Sequence, residues 1–250
     1  MFAETDAEFA SRLAIQTGQL LVGLRDDLFE SAHSHWDMKD RADAAAQAFI
    51  ARELATHRPE DAVLSEEESA TDRRRFDADR VWIIDPLDGT REYSEPGRDD
   101  WAVHVALWNQ TAFGAAAVSL PAVNAVFSTE PAPSLPPTER DRPRLITSRN
   151  RAPYSAHLVA EALDCDAIRL GSAGAKAMAV VMGQADIYVH DGGMYQWDTA
   201  APAAVAMAAG LHASRLDGSP LVYNERDTWL PDFIVCRPEY AHPVLDALWG

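Results

Sequence analysis

Apolar positions near the start of the chain recur at helical spacing. Thr5-Asp6-Ala7-Glu8 has the pattern of a capping box, and Phe9, Leu13, Leu20, Leu24 and Leu28 follow four or seven apart. One apolar face therefore predicts a helix through about Phe29. A second helix is predicted over 42–56, with Pro59 beyond its end. The period then changes. Ala62-Val63-Leu64 reads as a short strand leading into the acidic run Glu66-Glu67-Glu68. Val81-Trp82-Ile83-Ile84 is an apolar run too short for a buried helix and right for a buried strand. Segments 101–108, 113–120 and 124–128 are β-like with short connections, which predicts an antiparallel meander.

The pattern breaks at 131–144, where prolines 131, 133, 136, 137 and 143 stand among charges with almost nothing apolar. This stretch is predicted to be a linker or exposed loop between an α+β half, 1–130, and an α/β half, 145–250. Beyond it, strand-like segments at 145–147, 167–170, 187–189 and 233–235 alternate with predicted helices at 155–163, 172–182 and 198–209. The expected fold class is α/β in the broad sense. No internal repeat is present.

Composition narrows the function. The 250 residues are 47% hydrophobic, enough to fill a core and to exclude disorder as a description of the whole chain. Lys and Arg number 22 against 39 Asp and Glu, a net charge of −17. Such a surface repels nucleic acid and anionic lipid, so neither is expected as a partner. An anionic substrate would need a bound metal to invert the local field. Cys165 and Cys236 are too few for a disulfide framework or zinc cluster and read as free thiols. The N-terminus has no apolar leader, and the stretch 112–127 is interrupted by Gly114, Pro121 and Asn124, so a cytoplasmic protein is expected.

Candidate chemistry centres on Trp82-Ile83-Ile84-Asp85-Pro86-Leu87-Asp88-Gly89-Thr90. A buried strand ending at Asp85, followed at once by a turn through Pro86 and Gly89, can aim Asp85 and Asp88 into one space and free the Leu87 carbonyl. Two carboxylates and a carbonyl form a hard oxygen donor set suited to magnesium. Thr90 stands at a possible helix start, where N–H groups and a hydroxyl can receive a phosphate oxygen. Taken singly, Asp-Pro and Asp-Gly are ordinary turn chemistry, Glu66-Glu67-Glu68 is a solvated acidic face, Asp198 is an N-cap and Asp43 an acid at a helix start. Together they place oxygen donors at several element ends, as a two- or three-metal phosphoryl site requires. Gly171-Ser172 opening a helix, with Lys176 one turn in, can bind an anion or form a plain capped helix. His104 and Trp197 read as structural, and Asp191-Gly192-Gly193 as a loop.

In their order along the chain, Glu66-Glu67, the Trp82–Thr90 run and Trp197-Asp198-Thr199-Ala200-Ala201-Pro202 resemble the inositol monophosphatase-like superfamily of magnesium-dependent, lithium-sensitive phosphatases. Arg91-Glu92-Tyr93 after Gly89-Thr90 is similar to the nucleotide-hydrolysing, CysQ-type branch in its actinobacterial form. Gly171-Ser172-Ala173-Gly174-Ala175-Lys176 and Asp217-Gly218-Ser219-Pro220-Leu221 match that branch as well.

The resemblance implies a five-layer α-β-α-β-α sandwich with the active site between the halves. It also implies two or three magnesium ions and hydrolysis of the 3′-phosphate of 3′-phosphoadenosine 5′-phosphate, or of its 5′-phosphosulfate, in sulfur metabolism. Metal ligands would fall on Glu66, Asp85, the Leu87 carbonyl, Asp88 and Asp198, with Asp43 near an additional metal. Glu67 and Thr90 would orient and activate the attacking water. Gly89, Thr90, Arg91, Gly171, Ser172, Lys176 and Asp198 would meet the substrate, a small anionic nucleotide, and a homodimer is compatible with the family. Two departures stand out: Glu68 leaves the glutamate register open by one, and Asp40 competes with Asp43. A broader inositol or sugar phosphatase and a non-catalytic metal- or phosphate-binding module are the alternative functions.

Overall fold

Helix α1 (Asp6–Glu30) begins where the capping box places it: Thr5 Oγ1 accepts the Glu8 N–H, and the Glu8 carboxylate accepts that of Thr5. The structure, a computed structural model, describes residues 4–31, 34–67, 73–138 and 140–250, so Glu68 lies outside the described residues. Helix α2 (His35–His57) starts well before the predicted 42–56 because Ser34 caps it, accepting the Asp37 N–H at 3.2 Å. Asp43 therefore lies inside α2, which corrects its reading as an acid at a helix start.

Strands β1 (Ala62–Ser65), β2 (Val81–Asp88), β3 (Ala102–Asn109), β4 (Ala112–Leu120) and β5 (Ala125–Ser128) form the first sheet in that order, with the short helix α3 (Thr90–Ser94) after β2. The predicted meander is β2 through β5, all antiparallel, and β1 adds a parallel edge. The second half runs β6 (Arg144–Ser148), α4 (Tyr154–Ala162), β7 (Asp166–Leu170), α5 (Ala173–Val181), β8 (Ile187–His190), β9 (Met194–Tyr195), α6 (Gln196–Ala208), β10 (His212–Ser214), β11 (Trp229–Leu230), β12 (Phe233–Cys236) and α7 (Ala241–Trp249). Its sheet has the order β10-β12-β8-β6-β7, while β9 and β11 pair apart from it. β6 is parallel to β7 and β8, and β12 is antiparallel to its neighbours. β10 and α7 escape a sequence reading. β10 is three residues without an apolar alternation, and α7 carries Pro243 in its first turn and has no capping side chain.

Strand alternation decides the layers. Trp82 and Ile84 of β2 and Val103 and Val105 of β3 face Phe9, Leu13 and Leu21 of α1 and Ile50 of α2. The opposite face, with Ile83, Ala106 and Val118, packs on α5 and α6, whose far side meets Tyr188 and Phe233 of the second sheet. Val159 of α4 and Val244 of α7 close that sheet's outer face against Ile187 and Ile234. Five layers result, helix-sheet-helix-sheet-helix. The proline-rich stretch is irregular but tied down: Arg140 pairs with Asp186 at 3.0 Å, and Arg237 donates to the Pro136 carbonyl at 3.1 Å. Among the described residues, no helix is long and apolar enough to cross a membrane.

Candidate active site

Residues three apart on a regular strand point to opposite faces. Asp85 and Asp88 do not, because β2 carries a bulge. Asp85 pairs with His104 and Asp88 with Ala102, so β2 holds one more residue than β3 over this interval. Pro86, which has no N–H to give to a ladder, sits in the irregular stretch. The strand therefore continues to Asp88 rather than turning directly after Asp85, and the turn comes at Gly89, whose φ is +86°. The extra residue sends Asp85, Asp88 and His104 to the same face, toward α5 and α6.

Those helices complete the cluster. Carboxylate oxygens of Asp85, Asp88 and Asp198 all lie within 4.8 Å of one another. N–H and O–H donors hold these aspartates in place. Asp85 Oδ1 accepts the Leu87 N–H at 3.1 Å, and Asp198 Oδ2 accepts the Tyr195 N–H at 2.6 Å. Asp88 Oδ2 accepts the Ser172 hydroxyl at 2.5 Å and the Gly174 N–H at 2.7 Å. Asp85 also shares a side-chain hydrogen bond with Glu66. Helix α6 starts at Gln196, so Asp198 is a first-turn residue rather than the N-cap.

In this cluster burial and mutual repulsion of the acids outweigh the nearby positive groups at every acid but Asp88. Burial, then the charges of Glu66, Asp88 and Asp198, pushes the Asp85 carboxyl well above its usual range. Burial and the Asp88 charge raise Asp198 to about 6. Partial burial, together with Asp198, Asp43 and Glu67, raises Glu66 to about 7. Asp43 goes to about 7 through burial and the charges of Glu67 and Asp40. Asp88 goes the other way: burial pushes it up, but His104, the Ser172 hydroxyl and the Gly174 N–H outweigh that and hold it at about 2. Buried and half-buried carboxylates converging on one space fit a hard divalent cation. The Leu87 carbonyl, whose bond here is from Thr90 Oγ1 at 3.2 Å, keeps a lone pair for the same purpose.

The sequence profile of the inositol monophosphatase family matches residues 3–245. The chain belongs to that family. It is 48% identical over 239 residues to the 3′-phosphoadenosine 5′-phosphate phosphatase of Mycobacterium tuberculosis, covering 92% of this chain and 88% of that one. It is 32% identical over 206 residues to the 3′(2′),5′-bisphosphate nucleotidase CysQ of Escherichia coli, covering 78% and 83%. The solved inositol monophosphatase of Anabaena superposes with a TM-score of 0.77 at 20% identity over 97% of this chain and 94% of that one, which shows the shared fold. The chain is a metal-dependent phosphatase of this family, with an acidic triad at Asp85, Asp88 and Asp198.

The remaining expected residues fall at different distances from this family site. Glu66 and Glu67 follow the end of β1, next to β2, and Glu66 interacts with Asp85 and Asp198. Asp43 acts on Glu66, whereas Asp40 is exposed and acts on the cluster through Asp43. Arg91 is exposed and pairs with Glu95 at 3.2 Å. The start of α5 corrects the expected anion site: the anion that Ser172 and Gly174 bind is Asp88 itself. Gly171 donates its N–H to Asp100 Oδ2 at 2.6 Å. Lys176 is buried and donates to the carbonyls of Gly171, at 2.5 Å, and Ser172, at 2.7 Å. Burial lowers it to about 8, against the raising effect of Asp88 and Glu92. Lys176 thus holds the loop that holds Asp88.

His104, expected to be structural, lies beside the cluster. It is fully buried, with Nε2 3.2 Å from Asp88 Oδ2. Its alternating strand context argued for a structural side chain. The bulge in β2 is what puts it on the same face as Asp85 and Asp88. Trp197 is buried as expected and stacks on Tyr195 at 4.9 Å. Asp191 accepts the Ser155 N–H at the start of α4. It lines a cleft of about 650 Å³ together with Arg151, Tyr154, His157, His190 and Gly192-Gly193.

Proposed function

We propose that this chain hydrolyses the 3′-phosphate of 3′-phosphoadenosine 5′-phosphate, and of its 5′-phosphosulfate, with two or three magnesium ions. The observation that carries this is the triad Asp85, Asp88 and Asp198, whose carboxylate oxygens converge within 4.8 Å of one another, in a chain so similar to relatives named for that activity. Asp85, Asp88, Asp198, Glu66 and the Leu87 carbonyl would hold the ions, with Asp43 beside an additional one. When bound, magnesium supplies the positive charge that lowers the pKa of water and neutralises the phosphate oxygens. Glu67 and the Thr90 hydroxyl orient the attacking water and take part in its deprotonation. Water adds to phosphorus in line as the bond to the 3′-oxygen breaks and that oxygen takes up a proton, yielding phosphate and AMP, or adenosine 5′-phosphosulfate from the phosphosulfate, with no covalent enzyme intermediate.

Gly89, Thr90 and Arg91 flank the phosphate, and residues 1–130 and 145–250 act as two halves of one site. The cleft bordered by Asp191-Gly192-Gly193 lies on the segment leading to Asp198 and is roomy enough for a nucleoside. Nothing in this chemistry requires a membrane or nucleic acid, which suits a cytoplasmic enzyme.

Phosphate release should be measured with 3′-phosphoadenosine 5′-phosphate, inositol 1-phosphate and fructose 1,6-bisphosphate, each in magnesium and in EDTA. The nucleotide should be preferred in kcat/KM and the activity should vanish in EDTA. Preference for inositol or fructose phosphates would establish the broader phosphatase instead. Metal binding without turnover of any substrate would establish a binding module, and undiminished activity in EDTA would remove the metal from the chemistry.

A further inference from the structure

The imidazole of His104 is wholly buried in the middle layer of the molecule, between two elements that each carry a metal-ligand candidate. Its Nδ1 lies 3.1 Å from the carbonyl oxygen of Trp197, the residue preceding Asp198 on α6. A carbonyl only accepts, so Nδ1 is the donor in that bond. The other edge faces β2: Nε2 is 3.2 Å from Asp88 Oδ2 without the alignment of a full hydrogen bond, and Nδ1 is 3.9 Å from Asp85 Oδ2. One rigid ring therefore touches the backbone beside Asp198 and the side chain of Asp88, which belong to different layers.

Room for the ring comes from Gly174. A Cβ at that position would lie 2.1 Å from His104 Nε2 and 3.1 Å from the Ala102 methyl. The same glycine donates its N–H to Asp88 Oδ2. The glycine at this point of the Gly171–Lys176 motif thus has a physical cause, namely the close approach of α5 to a histidine on β3.

We propose that His104 is a positioning residue that sets the separation of Asp88 from Asp198, and through it the affinity of the site for divalent metal. An apolar side chain of similar size would fill the same space in a plain core. The polar edges turned toward the two ligand-bearing elements are what an outer partner of a metal site requires, and losing such partners elsewhere costs about 10–100-fold in metal affinity. The inference rests on the acidic cluster being a divalent-metal site, and the test separates the two ideas.

Mn²⁺ binding is titrated by electron paramagnetic resonance, without substrate, on the unaltered protein and on His104→Leu, His104→Gln and His104→Asn. Magnesium activation and substrate KM are measured in parallel. Glutamine places its amide near the Nε2 position and asparagine near Nδ1, so each keeps a polar group at one of the two contacts. The leucine variant should bind Mn²⁺ about 10-fold or more weakly and need correspondingly more magnesium. Its KM for substrate at saturating metal should change less than its metal requirement, and the amide variants should fall in between. A folded leucine variant binding Mn²⁺ within about twofold of the unaltered protein would overturn the proposal, whatever its melting temperature. If the leucine variant does not fold, the amide variants decide: unchanged affinity in both would overturn it, since each lacks one contact. An unaltered protein that binds no Mn²⁺ would overturn the metal-site reading itself.

Discussion

Lowering the pH from about 8 to 5.5 is expected to stabilise the metal-free protein, the reverse of ordinary acid denaturation. Asp198 illustrates the sign. Its carboxyl is raised by burial and by Asp88 from 3.8 to about 6, so its charge is unfavourable in the fold. That penalty is complete above pH 6 and disappears as the pH falls toward 3.8. Asp43 and Glu66, both raised to about 7, and Asp85, pushed well above its usual range, share the sign. Asp88, held at about 2, does not titrate in this window. For Asp198 alone the repulsion at neutral pH is about 3 kcal/mol. In a chain of this length each kcal/mol moves the melting temperature by about 2–4 °C.

Magnesium at about 100 times its dissociation constant stabilises by about 2.7 kcal/mol. It competes with protons for the same oxygens, so its effect should shrink as the acids protonate. His190 and His212, which burial pushes below 6.5, weaken the fold as the pH falls below that value. They do so with or without metal, and the difference between magnesium and EDTA removes them. Differential scanning fluorimetry across pH 5.5–8 should show a magnesium-induced rise of about 5–10 °C at pH 8 that declines toward pH 5.5. A shift of equal size at both ends, or none at either, would refute the picture of a repulsive cluster awaiting a cation.

Asp85→Asn and Asp198→Asn should each lose about 100-fold or more in phosphatase activity while melting no lower, and in EDTA higher, than the unaltered protein. A drop in EDTA melting temperature together with retained activity would contradict the assignment. Gly89→Ala meets a positive φ, a Ser172 Cβ at 3.0 Å and the Asp100 carbonyl at 3.3 Å. It should cost about 1–3 kcal/mol, read as a lower melting temperature, and an unchanged melt would show that the turn relaxes freely. Lithium, small and singly charged, should inhibit in an uncompetitive or mixed manner and less strongly as magnesium rises. Indifference to lithium at two magnesium concentrations would show that no exchangeable metal position exists.

Local chemistry was legible without a structure. The capping box of α1 and the apolar runs of β2 and β8 depend on neighbours within a few residues, where side-chain period and caps act directly. The acids that would carry the metal were legible for the same reason, since a carboxylate declares its chemistry wherever the chain places it. The start of α2 was not, because a single serine eight residues upstream of the expected start decides it. Tertiary structure alone decided that the start of α5 binds Asp88 rather than a free anion, that Lys176 turns inward onto carbonyls, and that His104 reaches both Asp88 and α6. Each of these depends on one extra residue in β2 and on the packing of two helices between two sheets. A pattern with a period of two or 3.6 tells which way a side chain faces on its own element, and the partner it meets there is supplied by segments roughly seventy to ninety residues further along the chain.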